Sequence, residues 1–466
     1  MARVLFVYPN KESYPLVPLS ISLFSGILKK AGHKVDIFDI TFMVKNRFVD
    51  HYAREKFDLV KKVDVEKYWG KCEQIDLKKE LISKIDSFKP DLIAFSIVEN
   101  NFAAANDFIS IIKSKYNIPI IVGGIFPTVV PELFLNNKNI DIICIGEGEN
   151  SILKLANRID KDEYYGDIPN LIVKNNGKTI KNKLAPYYNW EPLIYQDWDL
   201  FDKRHFLKPF MGKMWKTGYF ELSRGCPYHC TYCVNSKLQN IYKGIGQYRR
   251  EKNIDELINE IAFMKEKYQL ELIWFYDENF CMLNKDKLIK FCQMYKKNID
   301  LPYFVATRAD TLLDEKIVKY LKYSGCATVG VGLETGSETT RICKLKKNIK
   351  NSTFFKAFDI CKKFKLRTTA NIMLGLPEET ESDIHSSISF CKKLNPDSLS
   401  ISIFVPYHGT YLREECIKKG LIEDSYDETI SFHYNSTIKM TKISKQKFYF
   451  LYENFNKLVY KVEEDI

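Results

Sequence analysis

Apolar residues along this chain fall into short continuous runs separated by helical patterns. RVLFVY is followed by the amphipathic stretch PLSISLFSGILKKAG and then by KVDIFDI, which together read as a βαβ unit. After a polar and aromatic insertion over roughly 41–88, the rhythm resumes with PDLIAFS, NDFISIIKSKY, IPIIVGG and IDIICIG. Five short apolar strands with helices between them predict a doubly wound parallel sheet over residues 1–150, whose ligands would sit outside the C-terminal strand ends. The rhythm fades over 151–215, where IPNLIVKNNGKTI reads as a hairpin and an aromatic, proline-bearing stretch as a connector, so this segment is expected to be a linker. From 216 to 410 six strands, TGYFELS through SLSISIF, alternate with helices and predict a partial (βα)6 TIM barrel. The tail, 411–466, reads as a helical C-terminal extension, and the fold class is α/β.

Composition narrows the setting. With 466 residues, 45% hydrophobic and 14% aromatic, the chain can bury ample core. The N-terminal apolar run is too short for a signal segment and no stretch approaches eighteen apolar residues, so the expectation is a cytoplasmic protein without membrane contact. The net charge of +11 raises the question of an anionic partner, but the lysines are spread along helical patterns as on solvated faces. No basic stripe with interleaved aromatics appears, which argues against nucleic acid.

The chemistry gathers in RGCPYHCTYCVN, directly after the first strand of the second series. Cys226, Cys230 and Cys233 form CxxxCxxC with no fourth cysteine or well-spaced histidine downstream, whereas a structural zinc site wants four closed ligands. In a reducing compartment a disulfide is disfavoured too. Three thiolates on a cubane iron-sulfur cluster leave one iron open. The nine scattered cysteines (72, 144, 281, 292, 326, 343, 361, 391 and 416) read instead as small buried hydrophobes.

This loop resembles that of the radical S-adenosylmethionine enzymes. The resemblance implies a 4Fe-4S cluster on Cys226, Cys230 and Cys233, S-adenosylmethionine on the open iron, and Tyr232 lining the adenine site. Asp277 and Glu278 in WFYDENF, and Glu334 in VGVGLETGSE, match the family's acidic strand-end positions and would be further cofactor contacts. Gly330-x-Gly332 opens no helix and lacks the dinucleotide fingerprint. Arg308 could meet an anionic group at the rim, and His408, standing where the family more usually has proline, is a candidate substrate or acid-base group.

A doubly wound domain placed before such a barrel resembles the cobalamin-binding branch of that family, with a flavodoxin-like first sheet. The implied corrin contacts are Gly123, Gly124 and Thr128 in VGGIFPTVVPE and Gly146, Glu147 and Gly148 in GEGENS. The loop from Pro9 to Pro18 contains no histidine, so no lower histidine ligand to cobalt is expected there. The implied function is methylation of an unactivated carbon or a phosphorus of a small-molecule or peptide substrate, with an external one-electron reductant such as a flavodoxin or ferredoxin. Cyclisation or rearrangement without methyl transfer, and a non-enzymatic corrin or iron-sulfur sensor, remain as alternatives.

Overall fold

The computed structural model describes residues 1–11, 15–44, 49–70, 75–175, 177–423 and 436–460. The chain divides into two compact units. The first comprises Met1–Asp50, Asp64–Leu207 and Lys237–Gln247, and the second His51–Val63, Lys208–Ser236 and Tyr248–Ile466.

The first unit is built on strands β1 (Arg3–Tyr8), β2 (Lys34–Asp39), β3 (Leu92–Ser96), β4 (Ile120–Gly123), β5 (Ile142–Cys144), β6 (Leu171–Asn175) and β7 (Lys178–Lys181). Their order is β2-β1-β3-β4-β5-β6-β7, parallel from β2 to β5 and antiparallel for the last two. The parallel part has the flavodoxin-like order, with its switch point between β1 and β3. β3, β4 and β5 carry almost continuous buried aliphatics because helices cover both faces.

The second unit contains β8 (Leu207–Phe210), β9 (Lys213–Phe220), β12 (Leu272–Phe275), β13 (Tyr303–Thr307), β14 (Cys326–Glu334), β15 (Thr368–Leu374) and β16 (Ser398–Ile403), besides a two-stranded ladder of β10 (Ser223–Arg224) and β11 (Arg250–Glu251). Six of these, from β9 to β16, pair in parallel as an open half-barrel, and β8 extends it at the β9 edge. The turn Met211-Gly212 joins β8 to β9 with both residues at positive φ, as a two-residue hairpin requires. Barrel helices begin where side chains satisfy the first free amides. Asn253, Asn284 and Asp314 cap three of them, and Thr380 forms a capping box with Asp383.

The structure differs from the sequence reading in three places. The segment 151–215, expected as a linker, contains the helix Glu149–Asp160 and the β6-β7 hairpin, which pairs through Ile142–Val173 with the first sheet. The hairpin itself was legible, but its strands protect the edge of β5 rather than standing apart. The insertion at 41–88 includes a true crossover helix, Leu77–Phe88, started by Asp76. A short piece of it, His51–Val63, belongs to the barrel unit, where Phe57 packs edge-on against Tyr452 of the C-terminal helix Lys445–Tyr460. Of the scattered cysteines seven are buried, Cys343 is exposed on a turn of π-helix at Thr340–Lys344, and Cys72 lies outside the described residues.

Candidate functional site

β9 delivers the chain to the cysteine loop, and the ladder of β10 with β11 closes behind it. Gly225 has φ 90°, and a Cβ there would collide with the Tyr248 carbonyl, so the turn into Cys226 demands glycine. The loop is fixed by its backbone: Cys233 N–H donates to Cys230 O at 3.1 Å, and Thr231 N–H donates to Leu345 O at 3.0 Å. The Thr231 hydroxyl donates to Lys344 O at 2.8 Å. Asn235 Nδ2 donates to Cys233 Sγ at 3.5 Å, itself oriented by the Tyr248 hydroxyl at 2.6 Å. A donor to sulfur of this kind tunes a cluster's potential.

Burial pushes the Cys226 and Cys230 thiols up, and each is raised further by the neighbouring cysteines. Bound iron reverses that preference, because a coordinated thiol is deprotonated. Among the described residues no three His, Cys, Asp or Glu side chains converge on a single-ion geometry.

Opposite the loop stands a pair that the sequence reading half found. Glu334 ends β14 at φ 68°, where the register with β15 shifts, and its Oε1 accepts from Lys347 Nζ at 2.7 Å. Both side chains are buried. Gly332 makes the pair possible, since a Cβ there would meet Glu334 Oε1 and stand 2.6 Å from Lys347 Nζ. The turn is held by Arg341, fully buried, which donates to the carbonyls of Leu333, Ile349 and Thr335 and to Asn351 Oδ1. Burial lowers its guanidinium to about 10. Tyr232 packs against the apolar cluster of Leu345, Leu376, Phe404 and Leu412, and burial, followed by the Glu334 carboxylate, holds its phenol well above the usual range.

The two acidic residues after β12 separate. Asp277 is buried, accepts from Leu222 N–H at 3.0 Å and from the Ser223 hydroxyl, and so pins the exit of β9; burial pushes it up to about 7. Glu278 accepts from Gly225 N–H at 3.3 Å, next to Cys226, and burial raises it as well. Arg308 stacks over Tyr228 of the cysteine loop at 3.5 Å and pairs with Asp310 at 2.8 Å. His408 is half-buried in the turn after β16.

Sequence reasoning missed Lys347, Arg341 and Glu379. Glu379 follows β15, accepts from Gly375 N–H at 2.6 Å, and is pushed up to about 8 by burial; its Oε1 has no partner among the described residues. An unfolded glutamic acid releases its proton near pH ~4.3, whereas here it is kept to about pH 8. Glu379 therefore lowers stability progressively as pH rises across that window. The difference in melting temperature between E379Q and the unsubstituted protein should grow in favour of E379Q from pH 5 to pH 8. Parallel curves would refute this ionisation.

In the first unit the loops after β3, β4 and β5 form one hydrogen-bonded set. Gly124 has φ 104°, and a Cβ there would stand 2.7 Å from Ile97 O. The Thr128 hydroxyl donates to Gly124 O at 2.7 Å and accepts from Gly146 N–H at 2.9 Å. The glycines thus bring backbone against protein: Gly123 against Cys144, Gly148 against Phe24. Glu147 accepts from Tyr188 N–H at 2.8 Å. His205, fully buried, places its ring nitrogens 3.0 Å from Leu16 O in the loop after β1 and 2.5 Å from Asp39 Oδ2.

Residues 220–391 match the Radical SAM superfamily, and residues 63–156 match the B12 binding domain. The chain thus carries a B12-binding domain followed by a radical SAM domain. Its relatives include an uncharacterized methyltransferase of Pyrococcus horikoshii, 28% identical over 74% of each chain. Another is an anaerobic magnesium-protoporphyrin IX monomethyl ester cyclase of Rubrivivax gelatinosus, 22% identical over 89% of this chain and 70% of that one. The fold matches that of TsrM, a radical S-adenosylmethionine methyltransferase from Kitasatospora setae, at a TM-score of 0.68 and 15% identity, covering 98% of this chain and 85% of that one. The cobalamin-dependent radical enzyme OxsB matches at 0.69 and 14% identity, over 95% and 65%.

The residues present fit a 4Fe-4S cluster and a corrin, the groups that a radical SAM domain and a B12-binding domain use. The cluster has its three thiols, with the loop backbone braced. At the strand ends of the first unit Val98 and Ile125, on the loops after β3 and β4, are 44% and 37% exposed, a bare aliphatic surface suited to the flat face of a corrin. No helix among the described residues is long and apolar enough to cross a membrane.

Proposed function

We propose that this enzyme methylates an unactivated carbon or a phosphorus of a small-molecule or peptide substrate. The observation that carries this reading is a three-cysteine loop and a cobalamin-type sheet in one chain whose first-named relative is a methyltransferase. Bound together, the cluster, S-adenosylmethionine and cobalamin supply a 5'-deoxyadenosyl radical and a transferable methyl group. Cys226, Cys230 and Cys233 would hold the cluster. Glu278 and the Glu334–Lys347 pair would orient S-adenosylmethionine, with Tyr232 beside its adenine. Thr128 and the glycine loops Gly123-Gly124 and Gly146-Glu147-Gly148 would seat the corrin. Arg308, held over Tyr228, stiffens the cysteine loop. An external one-electron reductant such as a flavodoxin or ferredoxin, and a cytoplasmic setting, complete the reading.

Anaerobic turnover distinguishes this from the second reading, cyclisation, which the magnesium-protoporphyrin relatives favour. Methylation should release S-adenosylhomocysteine alongside deoxyadenosine, in step with product. Product formation with deoxyadenosine alone would replace methyl transfer by cyclisation or rearrangement.

A further inference from the structure

Tyr242 lies just beyond the helix Asn235–Ile241, in the segment Lys237–Gln247 that belongs to the first unit. Its hydroxyl occupies the notch that Gly146 leaves open. Gly146 has φ 77°, and a Cβ there would collide with Tyr242 Oη. Glu147 N–H donates to that oxygen at 2.6 Å. The ring stacks on Tyr187 at 4.5 Å with an interplanar angle of 28°. Through Gly146 N–H and Thr128 the same notch joins the loop after β4.

Tyr242 is only 4% exposed, yet among the described residues its hydroxyl makes one hydrogen bond, and makes it as acceptor. Its own hydrogen is left without an acceptor inside a loop set at the strand ends. A buried phenol normally uses that hydrogen, because an unsatisfied donor costs free energy. Burial also holds the phenol above its ordinary range, so the hydrogen stays in place at neutral pH. A corrin ring is edged with neutral carboxamides, whose carbonyls are acceptors of the kind this hydrogen lacks.

We propose that Tyr242 is a cobalamin-binding residue that donates its hydroxyl hydrogen to a carboxamide carbonyl on the rim of the corrin, while Glu147 N–H fixes its oxygen. The inference rests on the cobalamin reading and adds a contact from a segment outside the strand-end loops.

The test is equilibrium binding of hydroxocobalamin and of dicyanocobinamide, which keeps the ring carboxamides but lacks the nucleotide tail, to the full-length chain and to Y242F. The substitution keeps the stack on Tyr187. Loss of one neutral hydrogen bond should weaken both corrins by roughly five-fold. Y242F also takes away the acceptor of Glu147 N–H, so the corrin-free variant should melt somewhat lower, and the corrin-induced rise should be smaller for Y242F. Equal affinities for Y242F and the unsubstituted chain would overturn the proposal. A loss seen with cobalamin and absent with cobinamide would overturn it too, by placing the contact on the nucleotide tail. No corrin binding by the unsubstituted chain would overturn the cobalamin reading itself and this contact with it.

Discussion

Replacement of Cys226, Cys230 or Cys233 by alanine should abolish the cluster and, with it, all cleavage of S-adenosylmethionine. Each thiol is expected to ligate its own iron, so removing one leaves two protein ligands and an opened cube that loses iron. The loop itself should survive. Its shape rests on Thr231 bonded to Leu345 and Lys344, and on Leu412 N–H bonded to Thr231 O at 2.9 Å, none of which involves sulfur. The expected result after anaerobic reconstitution is a folded protein with little iron, no charge-transfer absorbance and no deoxyadenosine. Asn235→Ala makes the useful contrast: it removes the amide donor to Cys233 Sγ and the acceptor of the Tyr248 hydroxyl but no cluster ligand, so the cluster should form with a shifted potential. A cysteine variant that still cleaves S-adenosylmethionine would refute the assignment of the loop.

Much of this was legible in the chain because the signals were local. Continuous aliphatic runs marked β1, β3 and β4, since a parallel strand covered on both faces has no polar side to show. CxxxCxxC after a strand needed no partner from elsewhere to be read. What stayed hidden depends on distant contacts. Nothing in His51–Val63 says that Phe57 packs on Tyr452, four hundred residues on. Asp277 and Glu278 are neighbours of like charge, and only burial and the positions of Leu222, Ser223 and Gly225 show that the first braces a strand end while the second faces the cysteine loop. The glycines of the first unit carried a ligand signal in sequence, and what the sequence did not show is that protein atoms also approach Gly123, Gly124 and Gly148 closely. The reading of Glu334 was incomplete for the same reason. Its partner Lys347 sits in a lysine-rich stretch, KLKKNIK, where composition points to solvent rather than to a buried pair.

Lys347→Met should therefore have the second largest effect. Lys347 and Glu334 are 5% and 8% exposed and 2.7 Å apart. Removing the ammonium leaves a carboxylate buried without its counter-charge, and breaking such a pair from one side costs about 3–5 kcal/mol. The loss falls on a residue already at φ 68°, a conformation that costs about 1–3 kcal/mol outside glycine and that Arg341 sustains by tying Leu333 and Thr335 to Ile349. Two consequences should be measurable. Urea unfolding should show K347M destabilised by about 3 kcal/mol, with E334Q/K347M recovering much of it because the double variant buries no unpaired charge. S-adenosylmethionine binding to the reconstituted protein should weaken by at least about ten-fold in K347M, and by nearly as much in the double variant, because restoring charge balance does not restore the polar groups proposed to orient the cofactor. Strictly additive single and double variants would show that the two side chains do not act as a pair. Recovery of cofactor affinity together with stability in the double variant would show that the pair holds the turn and leaves the cofactor to other residues.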